Sequence, residues 1–288
     1  MRILFLSDNF PPEVNAPASR TFEHCREWVR AGHDVTVVTG FPNFPRGRLF
    51  DGYRNRLRAR ETLEGVDVVR VWTYITANEG TLRRTLDYLS FMVSGFVAAL
   101  FLPRPDLVVG TSPQFFTCCA AWLLSVFKRV PFVFEVRDLW PESIRTVGAM
   151  GDSLALRLLE RLELFLYRRA SRVVVVTEAF KHDLVRRGIP ATKIDVVTNG
   201  ADLSRFAPRE KDAALVAELG LEGRFVAGYI GTHGLAHALE TLLECAALLQ
   251  REEEGSDLRR CTLLLLGDGA RKAALKARAD ELGLGNVM

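Results

Sequence analysis

The sequence is short of the residues that mark several common chemistries. Its 288 residues hold only five cysteines, at 25, 118, 119, 245 and 261. None forms a C-x-x-C pair, which argues against a zinc knuckle or a disulfide scaffold and fits a reduced compartment. The five histidines, at 24, 33, 182, 233 and 237, give no H-E-x-x-H, so no metal constellation is expected. G-x-x-x-x-G-K-[ST] is missing, which removes P-loop chemistry. The first apolar run is followed by Ser7-Asp8-Asn9-Phe10-Pro11-Pro12 rather than G-x-G-x-x-G, and the dinucleotide reading loses its main support. A signal peptide is not expected either, because that run meets Asp8 almost at once. Leu86 to Leu102 is slightly shorter than the roughly 20 apolar residues of a spanning helix and contains Asp87, Ser90 and Ser94. A nucleic-acid role finds no helix-turn-helix or RNP-like aromatic pattern, and the isoelectric point near 8.7 is unexceptional.

What is present is an ordinary globular balance, 48% hydrophobic and 25% charged, with a net charge of only +3. Short β-branched runs alternate with helical patterns. Strands are expected at Ile3 to Leu6, Val35 to Thr39, Val66 to Trp72, Leu107 to Val109, Phe132 to Val136, Val173 to Thr177 and Ile194 to Val197. Most are apolar on both faces, as strands of a covered parallel sheet are. Helical stretches lie between them at Ala18 to Ala31, Thr85 to Leu102, Phe115 to Phe127, Leu154 to Arg169 and Ala179 to Arg187. Gly32 and Gly188 stand where helix-ending glycines belong. After Asn199-Gly200 the pattern loosens, and from Phe225 to Ile230 a new βαβα series begins, with a helix expected from Ala236 to Arg251 and a strand from Thr262 to Leu266. The expected architecture is α/β with two tandem Rossmann-like, doubly wound parallel-sheet domains: residues 1–205, a linker 206–223, and a partial second domain 224–288 that stops as a new strand begins.

Open parallel sheets bind ligands beyond the carboxyl ends of their strands. That rule singles out Ser7 to Asn9, Gly110 to Ser112, Arg137-Asp138, Thr177-Glu178, Asn199-Gly200, Gly231-Thr232-His233-Gly234 and Gly267-Asp268-Gly269. Asp138 lies in the densest polar cluster, Arg137 to Ser143, where capping is the competing role. Glu135, inside a buried strand, is expected to pair with a cation or face the cleft. Glu13, Asn15 and Arg20 belong to a proline-rich segment that reads as a stiff loop over the cleft and the helix behind it. Gly267 and Gly269 fit a phosphate loop or a plain turn equally well. His233 and His237, four apart, would stack on one helix face; phosphate contact or a solvated cap are the two readings. Arg46, Arg48, Arg54, Arg56, Arg58 and Arg60 form a basic stretch that would suit anionic headgroups, and Leu86 to Leu102 reads as either a buried crossover helix or a membrane-surface helix.

The proline-bearing loop after the first strand, EVRDLWPES, TNGAD and GYIGTHGLAHALETLLE occur in that order along essentially the whole chain. Together they resemble the family 4 retaining glycosyltransferases of the GT-B fold, most of all the bacterial group of O-antigen and capsule synthesis that includes fucosamine transferases. The resemblance implies an acceptor-binding first domain, with Glu13, Asn15, Arg20, Glu178 and Asn199 at the cleft and Asp138 and Arg137 as catalytic candidates. It implies a donor-binding second domain using Gly231, Thr232, His233, Gly234, His237, Gly267, Asp268 and Gly269. It further implies a nucleotide-diphosphate sugar donor, UDP-linked, a lipid-linked saccharide acceptor, no metal or other cofactor, and a cytoplasmic enzyme peripheral on the inner face of the cell membrane.

Three departures from the family pattern stand out. Thr232-His233 and His237-Ala238 replace the basic Arg and Lys-Gly that clamp the diphosphate, Arg137-Asp138 replaces a His-Asp pair, and the family's E-x7-E segment, which holds the donor's sugar and ribose, is expected to fall well beyond Met288. The last predicts weak donor binding by this chain. The competing expectation is a catalytically inactive nucleotide-sugar or membrane-surface binding fragment.

Overall fold

In the computed structural model, residues 1–44, 47–76, 81–139, 154–204, 206–253 and 255–288 are described. The chain divides into two compact units, Met1–Gly200 and Ala201–Met288.

The first unit runs β1 (Arg2–Leu6), α1 (Ala16–Arg30), β2 (Asp34–Gly40), β3 (Arg58–Leu63), β4 (Val66–Val71), α2 (Thr81–Leu100), β5 (Leu107–Thr111), α3 (Phe115–Lys128), β6 (Phe132–Val136), α4 (Leu154–Arg169), β7 (Arg172–Val175), α5 (Glu178–Arg186) and β8 (Ile194–Val196). Its eight strands lie in the order β3-β4-β2-β1-β5-β6-β7-β8. All pairs are parallel except β3 with β4. Alternation along β1 explains why both faces are covered: Ile3 and Phe5 join Val35, Val37 and Trp28 on one side. Leu4 and Leu6 join Phe91, Leu124 and Phe134 on the other.

Strand β3 is absent from the sequence expectation, because Arg58 and Arg60 read there as part of a basic stretch. Arg58 to Leu63 alternates exposed and half-buried residues, as an edge strand does, and Arg60 is held by Asp67 through bonds of 2.7 and 2.6 Å. Helix α1 begins at Ala16, inside the expected loop. Asn15 caps it by accepting from the Ala18 amide at 2.8 Å, and Pro17 sits in the first turn, where no amide is required. Gly32 and Gly188 both take φ +85 at helix ends, as expected.

The second unit holds α6 (Ala213–Glu218), β9 (Phe225–Ile230), α7 (Glu240–Gln250), β10 (Cys261–Leu266) and α8 (Lys272–Glu281). Strands β9 and β10 pair in parallel, and Leu239, Leu243 and Leu275 form the apolar centre beneath them. The helix expected from Ala236 is interrupted: a 3₁₀ turn spans Leu235–His237, Ala238 takes φ 45, and α7 starts only at Glu240.

Candidate active site

In the first unit β1 lies between β2 and β5, so the connections leave it in opposite directions and open a crevice at the carboxyl edge of the sheet. The ends of β1, β5, β6, β7 and β8 bring Ser7 to Asn9, Thr111-Ser112, Arg137-Asp138, Thr177-Glu178 and Asn199 to this edge. Glu178 sits exposed in the first turn of α5, behind the Thr177 cap. The Ser112 hydroxyl oxygen accepts from the amides of Arg137 at 2.8 Å and Asp138 at 3.3 Å, which fixes the backbone under both side chains.

Several expected site residues are already engaged. Glu13 is buried, with one carboxylate oxygen accepting from the amides of Asn43 and Phe44 at 2.8 and 2.9 Å and the other from the Asn9 side chain at 2.9 Å. It pins two loops together. Arg20 donates to the Asn199 side-chain oxygen at 2.5 Å and stands 3.0 Å from Glu135. Glu135 thus finds its cation in Arg20. His24, 3.6 Å from the same carboxylate, escaped the sequence reading, although its i, i+4 spacing from Arg20 places both on one face of α1. Burial lowers the His24 pKa while Glu135 opposes the shift.

Arg137 and Asp138 differ from these neighbours. Among the described residues neither side chain makes a hydrogen bond or an ion pair. Desolvation raises the Asp138 carboxyl above its ordinary value, with Arg137 pulling the other way. It lowers the Arg137 guanidinium, with Glu135 opposing and Arg20 adding to the fall. Trp140, Pro141, Glu142 and Ser143 of the same motif lie outside the described residues, as does Arg46.

In the second unit the turns after β9 and β10 lock together. The Gly231 amide donates to the Leu266 carbonyl at 3.0 Å, the His233 amide to Asp268 at 2.8 Å, and the Arg271 amide to His233 at 2.9 Å. A Cβ on Gly267 would fall 1.8 Å from the Gly231 carbonyl oxygen, so this approach requires glycine without invoking a ligand. Of the amides from Gly231 to Leu235, those of Gly231 and His233 are therefore taken. His233 and His237 do not share a helix face, because His233 precedes the 3₁₀ turn and His237 ends it; each ring lies 6.2 Å from that of Tyr229. His233 is 4% exposed, and both its ring nitrogens are buried without a hydrogen-bond partner among the described residues. Among the described residues no group of three or more His, Cys, Asp or Glu side chains is placed to hold a metal ion.

Residues 15–200 match the model of the glycosyl transferase 4-like domain. This chain belongs to that family. The glycosyltransferase assignment agrees with its relatives. WcaI of Escherichia coli (strain K12), named for glycosyl transfer in colanic acid biosynthesis, is 26% identical over 100% of this chain and 70% of its own length. A GDP-mannose-dependent α-mannosyltransferase of Mycobacterium tuberculosis is 25% identical over 96% of this chain and 65% of its own. Among solved structures, Anabaena HepE in complex with UDP and glucose superimposes with a TM-score of 0.64 at 18% identity, covering 100% of this chain and 68% of that one. The fold is that of GT-B glycosyltransferases, and this chain spans about two thirds of the length of these proteins.

Proposed function

We propose that this glycosyltransferase moves a sugar, with retention, from a nucleotide-diphosphate donor to a lipid-linked saccharide in cell-surface polysaccharide synthesis. The observation that carries the site assignment is the contrast at the sheet edge. Glu13, Arg20 and Asn199 are bound to their neighbours, whereas Asp138 and Arg137 have anchored backbones and, among the described residues, uncommitted side chains. Groups held in place without internal partners are suited to a ligand.

Retaining transfer passes through an oxocarbenium-like state, so the protein's main tasks are to stabilise charge and to fix the acceptor hydroxyl. The departing phosphate takes the hydroxyl proton, and Asp138 orients that hydroxyl. Arg20, Asn199 and Glu178 frame the acceptor side. On the donor side the buried, unpartnered imidazole of His233 supports a phosphate contact, together with the amides of Thr232, Gly234 and Leu235. No metal is required by this scheme. UDP is the nucleotide favoured by the bound ligand of HepE; the relative that uses GDP-mannose makes the guanine nucleotide the alternative to test.

The test is nucleotide release from UDP-glucose, UDP-N-acetylglucosamine and GDP-mannose, each with saccharide acceptors. Asp138→Asn is expected to slow release at least tenfold with an unchanged circular dichroism spectrum. Wild-type rates in that variant would remove Asp138 from the mechanism.

The competing reading, an inactive membrane-surface module, draws on the exposed side chains of Leu86, Val93, Val97 and Phe101 along and beyond α2. Membrane contact and transfer to a lipid-linked acceptor are compatible, and we retain both.

A further inference from the structure

Arg20 and Arg137 stand at the carboxyl edge of the first sheet with more hydrogen-bonding capacity than their neighbours use. Arg20 is 8% exposed; its Nη1 serves Asn199, its Nη2 lies 3.0 Å from Glu135, and its Nε has no partner among the described residues. Arg137 Nη1 is also buried and has no hydrogen-bond partner among the described residues. An unsatisfied N–H on a buried cation is costly, and native proteins rarely keep one without a use for it.

Among the described residues the charged neighbours of the pair include Glu135, Asp138 and His24. Glu135 is engaged by Arg20, and Asp138 makes no ion pair with either arginine, being shifted by desolvation toward its neutral form. The lowered pKa of His24 favours an uncharged imidazole, so it does not compete for an anion. The Arg20 guanidinium is preset by Asn199, and for Arg137 the backbone is fixed by Ser112.

We propose that the space between Arg20 and Arg137 receives an anionic oxygen group, a carboxylate or a phosphoryl, carried by the acceptor saccharide. The proposal rests on reading this sheet edge as the acceptor side. A planar guanidinium matches two oxygens of one carboxylate or phosphoryl group, whereas a neutral hydroxyl satisfies one donor at a time and leaves the charge unanswered. The acceptor is then an acidic or phosphorylated sugar, and neutral sugars are poorer acceptors.

The experiment is an amide NMR titration of the isotopically labelled chain at constant ionic strength with glucuronate, inorganic phosphate, methyl glucoside and UDP. Glucuronate or phosphate should shift the Ser112, Arg137 and Asp138 amides with millimolar affinity, and methyl glucoside should not. The anion that binds more tightly identifies the group as carboxylate or phosphoryl. Arg137→Gln should weaken that binding at least tenfold, and Arg137→Lys, which keeps the charge, should weaken it less. Arg20→Gln removes the Asn199 and Glu135 contacts as well, so Arg137 carries the test.

An equal response to methyl glucoside, or unchanged anion binding in Arg137→Gln, overturns the proposal. A response of these amides to UDP alone assigns the site to the donor and overturns it too. A chain that binds glucuronate here but transfers no sugar leaves the anion site standing and counts only against transfer by this chain. One that glycosylates neutral acceptors and binds neither anion sinks only the anion site.

Discussion

Asp87, on α2, shows what crowding acids at the crevice costs. Burial, joined by the charge of Glu13 and opposed by Arg84, pushes its carboxyl up to about 6. Asp8, at the end of β1, is raised well above the ordinary carboxyl value by burial and by the charges of Asp87 and Glu13. A folded-state pKa above the unfolded one means that the native protein holds the proton more tightly, so stability falls as pH climbs from about 4 through 6. Losing a charge whose pKa lies that high would gain about 3 kcal/mol if Asp87 were wholly buried. Asp87 keeps part of its surface in water, which lowers the expected gain to about 1 kcal/mol. Asp87→Asn is therefore expected to stabilise the protein against urea at pH 7.5 and to have little effect at pH 4. A loss of stability at pH 7.5 would contradict this account. The strand-end rule located Asp8 and Asp138 from the sequence, but neither rise was legible there, since Asp87 reaches Asp8 only through the packing of α2.

At the scale of elements, α2 serves two surfaces. Phe91 and Ala99 are buried in the core, and Gly95 brings the helix near Val38 of β2. Leu86, Val93, Val97 and Phe101 remain exposed, and Phe127 at the end of α3 stacks edge-on against Phe96 while exposing most of its own ring. Exposed Arg83 and Arg84 lie in the first turn of the helix. Among the described residues no helix is long and apolar enough to cross a membrane. An apolar stripe with basic residues at one end is suited to lying on an anionic bilayer. The chain is expected to cosediment with vesicles containing anionic lipid and not with neutral ones, the binding weakening with salt; Val93→Glu with Val97→Glu should abolish it. Equal recovery with both kinds of vesicle would exclude the surface. Helices α4 and α5 are joined differently, through Glu163, which accepts from Tyr167 at 2.7 Å and from Arg187, whose side chain comes from the end of α5. Periodicity predicted both helices but could not pair them, because ion pairing across helices depends on how each packs on the sheet.

For the whole molecule the two units differ in how completely their sheets are covered. Eight strands with helices on both faces bury β1 and β5 almost entirely. The second unit carries a two-stranded sheet with exposed Phe225, Ile230 and Leu266. A sheet of two strands has little stability of its own and relies on the helices packed against it. Hydrogen exchange should therefore be at least tenfold faster for the amides of β9 and β10 than for those of β1 and β5. Equal protection in both units would mean that the second unit is stabilised by more than its present core.

The sequence by itself determined the alternation of strands and helices, the parallel sheet and the positions of the strand ends, because periodicity and glycine placement are local properties. It also supplied the residues that resemble glycosyltransferases. Only the tertiary structure decided that Glu13 clamps loops, that Arg20 joins Glu135 to Asn199, and that His233 is buried with no hydrogen-bond partner among the described residues. It also revealed β3, whose polar residues hid an edge strand. Those outcomes depend on which side chains meet across elements distant in the chain, and no spacing along one strand or helix records such meetings.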